Sequence, residues 1–325
     1  MNNTPIRIEL PTIYGMKTVN SFLFKEPEPI LIDCGESTPE SWEALTKGLA
    51  ENGLTIADIK KVYITHTHTD HVGMAGRIAK EGGAEIWVSD KSFDYVSNPH
   101  EGNKALRKLT IDTTVKLWGP VTAESPITKF ASSFGKHKDA WVDIPEQSIK
   151  VYKVGDELNF GNENWKVIFM PGHSNTQTIY LQEETKKILS ADMLLSVTPT
   201  PFYELSEGLT GKRIKGLPIM LQSYEELNNI DFTIAYPGHY ETIENPKEII
   251  GTQVAHIHKR KLQCFDFIKS GVNNYQDLYP LMYNRFTFTA ITMLVGYIDL
   301  LVEEGKIHWH EDEHSIRFEP VRLKV

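Results

Sequence analysis

The chain has 325 residues, 40% hydrophobic and 24% charged, with 34 Lys and Arg against 43 Asp and Glu for a formal net charge of −9. That length is ample for a packed core and for one large domain plus a small one, and the acidic balance argues against a general polyanion binder. Two cysteines, Cys34 and Cys264, exclude a disulfide framework or a thiolate cage, so any metal would be held by nitrogen and oxygen.

No run of eighteen apolar residues is present, and Met1 to Leu10 lacks the basic and apolar blocks of a signal peptide, so the expected location is cytoplasmic, with no membrane partner. Ile6 to Leu10, Val19 to Phe24 and Ile30 to Asp33 read as antiparallel strands punctuated by Gly15 and Pro29. Asp33 fits two roles equally well: a turn aspartate bonding its own backbone, or a carboxylate supporting a metal ligand from behind. Pro39 to Asn52 has helical spacing in Trp42, Leu45 and Leu49 and is closed by Gly53.

The run Lys61 to Thr65 is β-branched and aromatic, as a buried strand requires. Four metal-grade side chains follow it within six residues: His66, His68, Asp70 and His71. In an extended segment His66 and His68 project to the same side, while Asp70 and His71 turn toward a neighbouring position. The spacing therefore predicts two adjacent metal positions on a strand-to-helix turn, because buried imidazoles without partners are costly.

Ala75 to Lys80 then reads as a helix ended by Gly82-Gly83, and Glu85 to Ser89 as a strand. From residue 98 to about 146 the pattern loosens, with Lys104, Arg107 and Lys108 on a candidate helix and the aromatics Trp118, Phe130, Phe134 and Trp141 beyond. Those aromatics either face an apolar substrate group or form a small core of their own. His100 and His137 lack strand context and are expected at the surface.

Lys150 to Leu158 and Trp165 to Met170 resume the strand signal and are expected to begin a second sheet. Three further strand ends carry donors: Pro171-Gly172-His173-Ser174 after Trp165 to Met170, Ser190-Ala191-Asp192 after Lys187 to Leu189, and Pro237-Gly238-His239 after Phe232 to Tyr236. Ser196 to Gly216 is too irregular for a core element and is expected to border the cleft; Tyr203 and Tyr240 are more often packing residues than oxyanion donors.

From Pro246 the pattern changes to helices over Ile249 to Ser270, Tyr275 to Tyr283 and Thr287 to Glu304, then a hairpin over Lys306 to Phe318. Residues 246–325 hold ten Lys or Arg against ten Asp or Glu, and Glu311-Asp312-Glu313 on the hairpin would repel phosphate. His308, His310 and His314 are expected to face solvent.

The hexapeptide His66-Thr67-His68-Thr69-Asp70-His71 resembles the HxHxDH signature of the metallo-β-lactamase fold superfamily, and the three later strand ends fall, in order, where that superfamily places its other ligands. Asn20-Ser21-Phe22-Leu23 and the turn Asp33-Cys34-Gly35 extend the likeness, which covers roughly residues 8 to 245. The resemblance implies an α/β fold, a four-layer αββα sandwich, as a catalytic domain over 1–245, with a small winged-helix-like α+β domain over 246–325. The separation of His71 and His173, 102 residues, is long for the smaller hydrolases of the superfamily, so residues 98–146 read as an insertion serving as a cap or lid.

The same resemblance implies His66, His68 and His173 at a first metal, Asp70, His71 and His239 at a second, and Asp192 bridging both. The cofactors would be two divalent ions, zinc by default, with iron and manganese compatible. The implied activity is hydrolysis of an ester, thioester or lactone of a small molecule by a metal-bridging hydroxide, glyoxalase II-like or lactonase-like, with Asp70 as the catalytic proton shuttle. A phosphodiesterase or nuclease, and a metal-retaining binding or regulatory protein, are the alternatives. β-Lactam cleavage is disfavoured because Asp70, not Cys, follows the two histidines. Nucleic acid is disfavoured as a partner, and the C-terminal part would wall the site or form a homodimer contact.

Overall fold

Two sheets stack face to face in the computed structural model, which describes residues 4–13, 16–118, 140–207, 209–311 and 315–321. The first sheet runs in chain order through β1 (Ile6–Pro11), β2 (Thr18–Phe24), β3 (Ile30–Ile32), β4 (Lys61–Ile64), β5 (Glu85–Ser89) and β6 (Ile149–Tyr152). β1 to β3 pair antiparallel and β3 to β6 parallel. The second sheet takes β7 (Glu157–Phe160), β8 (Glu163–Phe169), β9 (Thr178–Gln182) and β10 (Lys187–Ala191). The chain then leaves it through a hairpin, β11 (Leu205–Glu207) with β12 (Thr210–Arg213), and returns as β13 (Ile234–Pro237), parallel to β10. A second hairpin, β14 (Ile307–Glu311) with β15 (Ile316–Pro320), lies near the C-terminus.

The helices are α1 (Pro39–Glu51), α2 (Thr69–Val72), α3 (Ala75–Gly82), α4 (Phe93–Ser97), α5 (Pro99–Trp118), α6 (Gly216–Asn229), α7 (Pro246–Lys269), α8 (Tyr275–Met282) and α9 (Phe288–Glu303). Side chains alternate across a strand, and three separate cores follow from that alternation. Phe22, Phe24, Ile30, Ile32 and Tyr63 point between the sheets, against Trp165, Val167, Tyr180 and Tyr236 of the second. Val19, Leu23, Leu31, Val62 and Ile64 point outward, against Leu45 and Leu49 of α1 and Ile78 of α3. The outer face of the second sheet, Ile179, Leu181 and Ile188, is covered by Met220 and Leu227 of α6, Ile257 of α7 and Leu294 of α9. Helix, sheet, sheet, helix is thus the layer order, and strands buried on both faces read as continuous apolar runs for that reason. Each fully buried Leu or Ile stabilises the sandwich by roughly 1.5–3 kcal/mol.

One expectation is corrected, and two stretches gain definition. Of residues 150–158, only 157 and 158 open the second sheet, as the start of β7; 150–152 belong to β6, which pairs parallel with β5 and completes the first. The loosened stretch after residue 98 starts with the 20-residue α5, which carries Lys104, Arg107 and Lys108 as expected. Its last residue, Trp118, packs its ring at 5.0 Å on Tyr275, 5.2 Å on Tyr279 and 5.0 Å on Phe286. Trp141 packs against the outer core of the first sheet. Phe130, Phe134 and His137 lie outside the described residues, as do Gly15, Asp312, Glu313 and His314. Finally, the irregular stretch 196–216 contains the β11–β12 hairpin. No helix among the described residues is long and apolar enough to cross a membrane.

Candidate metal centre

Strand ends deliver the predicted donors to one edge of the sandwich. β4 ends at Ile64, and the next residue, Thr65, is held from both sides by Asp33: its N–H donates to Oδ1 and its hydroxyl to Oδ2, each at 2.8 Å. Asp33 sits at φ 57, in the left-handed region that aspartate tolerates better than most residues. The single turn of α2 then brings Asp70 and His71 round behind His66 and His68. Gly172, at φ 135, lets the chain after β8 pass close to Met220, where a Cβ would meet the Met220 Cα at 2.4 Å. At Gly238 an added Cβ would lie 2.2 Å from Asp192 Oδ1 and 2.8 Å from His71 Cε1, so only glycine allows β13 to deliver His239 this close.

All seven predicted residues come together. Donor atoms of His66, His68 and His173 lie within 4.8 Å of one another, as do those of His66, His71 and Asp192, and those of Asp70, His71 and His239. Four of the five imidazoles have the outer nitrogen within hydrogen-bond reach of an acceptor. His173 Nδ1 donates to the Thr200 carbonyl at 2.9 Å, His239 Nδ1 to the Thr18 carbonyl at 2.6 Å, and His71 Nδ1 to Asp33 Oδ2 at 2.8 Å. His66 Nδ1 faces the Thr65 hydroxyl at 3.0 Å, and that hydroxyl spends its own proton on Asp33. Fixing the proton on the outer nitrogen leaves the inner nitrogen with a bare lone pair, which is how ligand imidazoles are prepared.

The inner atoms then face one another. His66 Nε2 and His173 Nε2 lie 3.1 and 2.9 Å from His68 Nδ1. His71 Nε2 is 3.4 Å from Asp192 Oδ1, and His173 Nε2 and His239 Nε2 are 3.4 and 3.2 Å from Asp192 Oδ2. His239 Nε2 is also 3.4 Å from Asp70 Oδ2. His71 Nε2, His239 Nε2 and Asp192 Oδ1 are buried without an aligned hydrogen-bond partner, which is costly unless something else satisfies them. Around a tetrahedral ion with bonds of about 2.0–2.1 Å, neighbouring donor atoms are about 3.3 Å apart. The donor types, their spacing and the orphaned atoms all fit divalent ions.

The electrostatics divide the imidazoles into two groups. Burial and the neighbouring His71 and His68 push His66 well below its ordinary range, and burial with His68 takes His173 down to about 3, so both are neutral. Burial opposes charge on His71 and His239 too, but the surrounding carboxylates win. Asp192, Asp33 and Asp70 hold His71 well above its usual value, and Asp192 and Asp70 raise His239 to about 10. In return, and again against burial, His71 and His239 hold Asp70 down to about 2, and His239 and His71 keep Asp192 well below the carboxylate range. Without metal, protons occupy the carboxylate-rich half of the cluster, where cations would sit.

A family model described as the metallo-beta-lactamase superfamily matches residues 14–239, about two thirds of the chain and the span that carries all seven donors. The chain belongs to the metallo-beta-lactamase superfamily. It is 24% identical over 324 residues to "Probable metallo-hydrolase YqjP" of Bacillus subtilis, covering 98% of each. It is also 24% identical over 197 residues to hydroxyacylglutathione hydrolase GloC of Haemophilus influenzae, covering 58% of this chain and 74% of that one. A metallo-beta-lactamase family protein from Thermus thermophilus shares the fold over 98% of both chains, with a TM-score of 0.78 at 22% identity. The chain is a metallo-hydrolase by family, and its His and Asp cluster is a candidate metal site.

Around the cluster of this superfamily member, the other singled-out residues take plainer roles. Asp33, which the sequence left between two roles, supports His71 and Thr65. Tyr203 is a packing residue, 4% exposed, against the Phe288 ring. Tyr240 is exposed, and its carbonyl accepts from Arg7 and Asn20. His100 bonds Asp143 at the surface, and His308 and His310 face solvent. Cys34 and Cys264 are buried thiols, the first pushed well up by burial and Asp33, the second to about 12 by burial, so neither offers a nucleophile. Sequence reasoning missed Thr18 and Thr200, which act through backbone carbonyls and carry no side-chain signal. It also missed Glu204, whose signal was a lone charge in the apolar run Pro201-Phe202-Tyr203-Glu204-Leu205.

Proposed function

We propose that this chain is a dinuclear hydrolase cleaving the thioester, ester or lactone bond of a small molecule. The convergence of buried inner atoms, with His71 Nε2, His239 Nε2 and Asp192 Oδ1 orphaned among them, carries the reading. His66, His68 and His173 would hold one ion, Asp70, His71 and His239 the other, and Asp192 would stand between them. Zinc suits a His-rich set, and iron and manganese accept it. Bound there, the ions supply acidified water and offset the charge that develops on the substrate oxygen. Asp70, ionised at neutral pH, orients the attacking water by accepting its hydrogen bond and carries its proton toward the leaving group. The hydroxyacylglutathione hydrolase among the relatives supports the carbonyl branch.

We read residues 246–325 as a winged-helix-like unit that walls the site. Phe288, at the start of α9, packs on Phe202 at 5.2 Å, and Phe202 packs on His68 at 4.4 Å. A cavity of about 230 Å³ lined by Thr200, Tyr283, Arg285 and Met293 gives the non-reacting part of a substrate room beside that wall. Turnover of a thioester and lactone panel, set against a bis-aryl phosphodiester, tests the assignment. Carbonyl substrates should be cleaved, and Asp70→Ala should lower the rate by about 10²–10⁴-fold. Activity on the phosphodiester alone would move the reading to the nuclease branch, and a metal-loaded but inert protein would favour a binding role.

A further inference from the structure

One imidazole lacks the neutral outer acceptor or aspartate that fixes the others. His68 is the most exposed ring of the cluster, 17% by side chain, and its Nδ1 faces both His66 and His173. If the His68 proton sat on Nδ1, it would bond one of those nitrogens and close the space between the three. If it sits on Nε2, three lone pairs face one point. What stands at Nε2 therefore decides whether the first position can take a cation.

Glu204 stands there. Its carboxylate is 3% exposed and belongs to none of the proposed ligand sets. Oε1 accepts from the Ser174 hydroxyl at 2.9 Å, Oε2 accepts from the Asn175 backbone N–H, and Oε1 lies 3.6 Å from His68 Nε2. A shift of about 0.5 Å makes the last contact a hydrogen bond. The two donors leave carboxylate acceptor capacity over, and a buried carboxylate is costly until that capacity is used.

The residue is also held firmly. The Glu204 carbonyl accepts from Ile214 N at 2.9 Å across the β11–β12 hairpin. The adjoining Arg213 forks onto Asp299 of α9 at 2.7 and 2.8 Å, and the Tyr203 ring lies beside its guanidinium. Through Ser174 and Asn175 the same carboxylate grips the loop that presents His173. One side chain thus ties together ligands from both sheets.

We propose that Glu204 is a positioning residue: it accepts the His68 Nε2–H, holds the ring against Phe202, and keeps the Nδ1 lone pair for the first metal position. The proposal rests on the two-ion reading. Glu204→Gln keeps the shape but replaces one acceptor oxygen by a donor, so it cannot serve Ser174, Asn175 and His68 together. In a zinc titration the wild type should fill two steps, and E204Q should weaken one of them by about 10–100-fold while leaving the other in place. A side chain that merely props the fold would weaken both steps alike or neither, and either result overturns the proposal.

A second measurement needs no variant. Long-range ¹H–¹⁵N NMR of the metal-free wild type should report the Nε2–H tautomer for His68. The Nδ1–H tautomer would overturn the proposal. Wild type that takes no zinc contradicts the two-ion reading on its own, and the His68 tautomer still decides for or against Glu204.

Discussion

A proton on His239 and a cation at the same nitrogen exclude one another, and stability against pH follows from that competition. In the metal-free protein the folded value of His239 is about 10 against an ordinary 6.5. Its stabilisation is therefore complete below pH 6.5 and is lost as pH rises toward about 10; His71, also raised, acts in the same direction. His173, at about 3, and His66, also depressed, stay neutral in the folded state. The unfolded chain takes up their protons below 6.5, so stability falls again as pH drops toward 3. Thermal unfolding in chelator should thus peak near pH 6.5 and decline on both sides. With zinc added, the alkaline decline should disappear, because the metal replaces the protons. An alkaline decline unchanged by zinc would contradict the site electrostatics. The candidate ligand residues were legible because imidazole and carboxylate clustered at strand ends have few other uses; of their outer partners Asp33 was half legible, and Thr18 and Thr200 were not, since they contribute only carbonyls.

Between the sheets, the elements are joined by a polar knot inside a core rich in aromatic rings. The Tyr152 hydroxyl, at the end of β6, donates to the Ile64 carbonyl at 2.8 Å and meets Thr178 Oγ1 at 3.0 Å and Tyr180 OH at 2.7 Å. It ties the strand that launches the His66–His71 turn to the second sheet. Tyr152→Phe leaves those partners buried and should cost about 1–3 kcal/mol in chemical denaturation, with zinc stoichiometry unchanged; a loss of zinc without a loss of stability would mean the knot acts on the site directly. The strands from β2 to β5 were readable because each is buried on most of both faces, and β1 because Ile8 and Leu10 alternate with the exposed Glu9 and Pro11. β6 was misassigned because a short strand carries no mark of which sheet it joins; only the partner, β5, decides that. The partners of Trp118 were not legible for a related reason: an aromatic in a loose segment does not reveal that a packing surface, α8, lies about 160 residues further on.

At the scale of the whole molecule, the edge that carries the His and Asp cluster and the C-terminal helices pack together. α9 covers the second sheet, binds the β11–β12 hairpin through Asp299 and Arg213, and reaches the site through Phe288 and Phe202. The β14–β15 hairpin is joined to α5 by Lys116 and Glu311 at 2.6 Å, so part of its acidic charge is already paired. The superfamily fold was legible from the order of its motifs, and no sequence signal announced how the C-terminal part would be used. The central claim is that seven side chains from four strand ends build two adjacent ion positions. Anomalous diffraction from crystals grown with zinc tests it most directly. Two peaks about 3.5–4 Å apart, one among His66, His68 and His173 and one among Asp70, His71 and His239, with Asp192 between, are predicted. A single peak, or zinc bound elsewhere with the cluster empty, would contradict it.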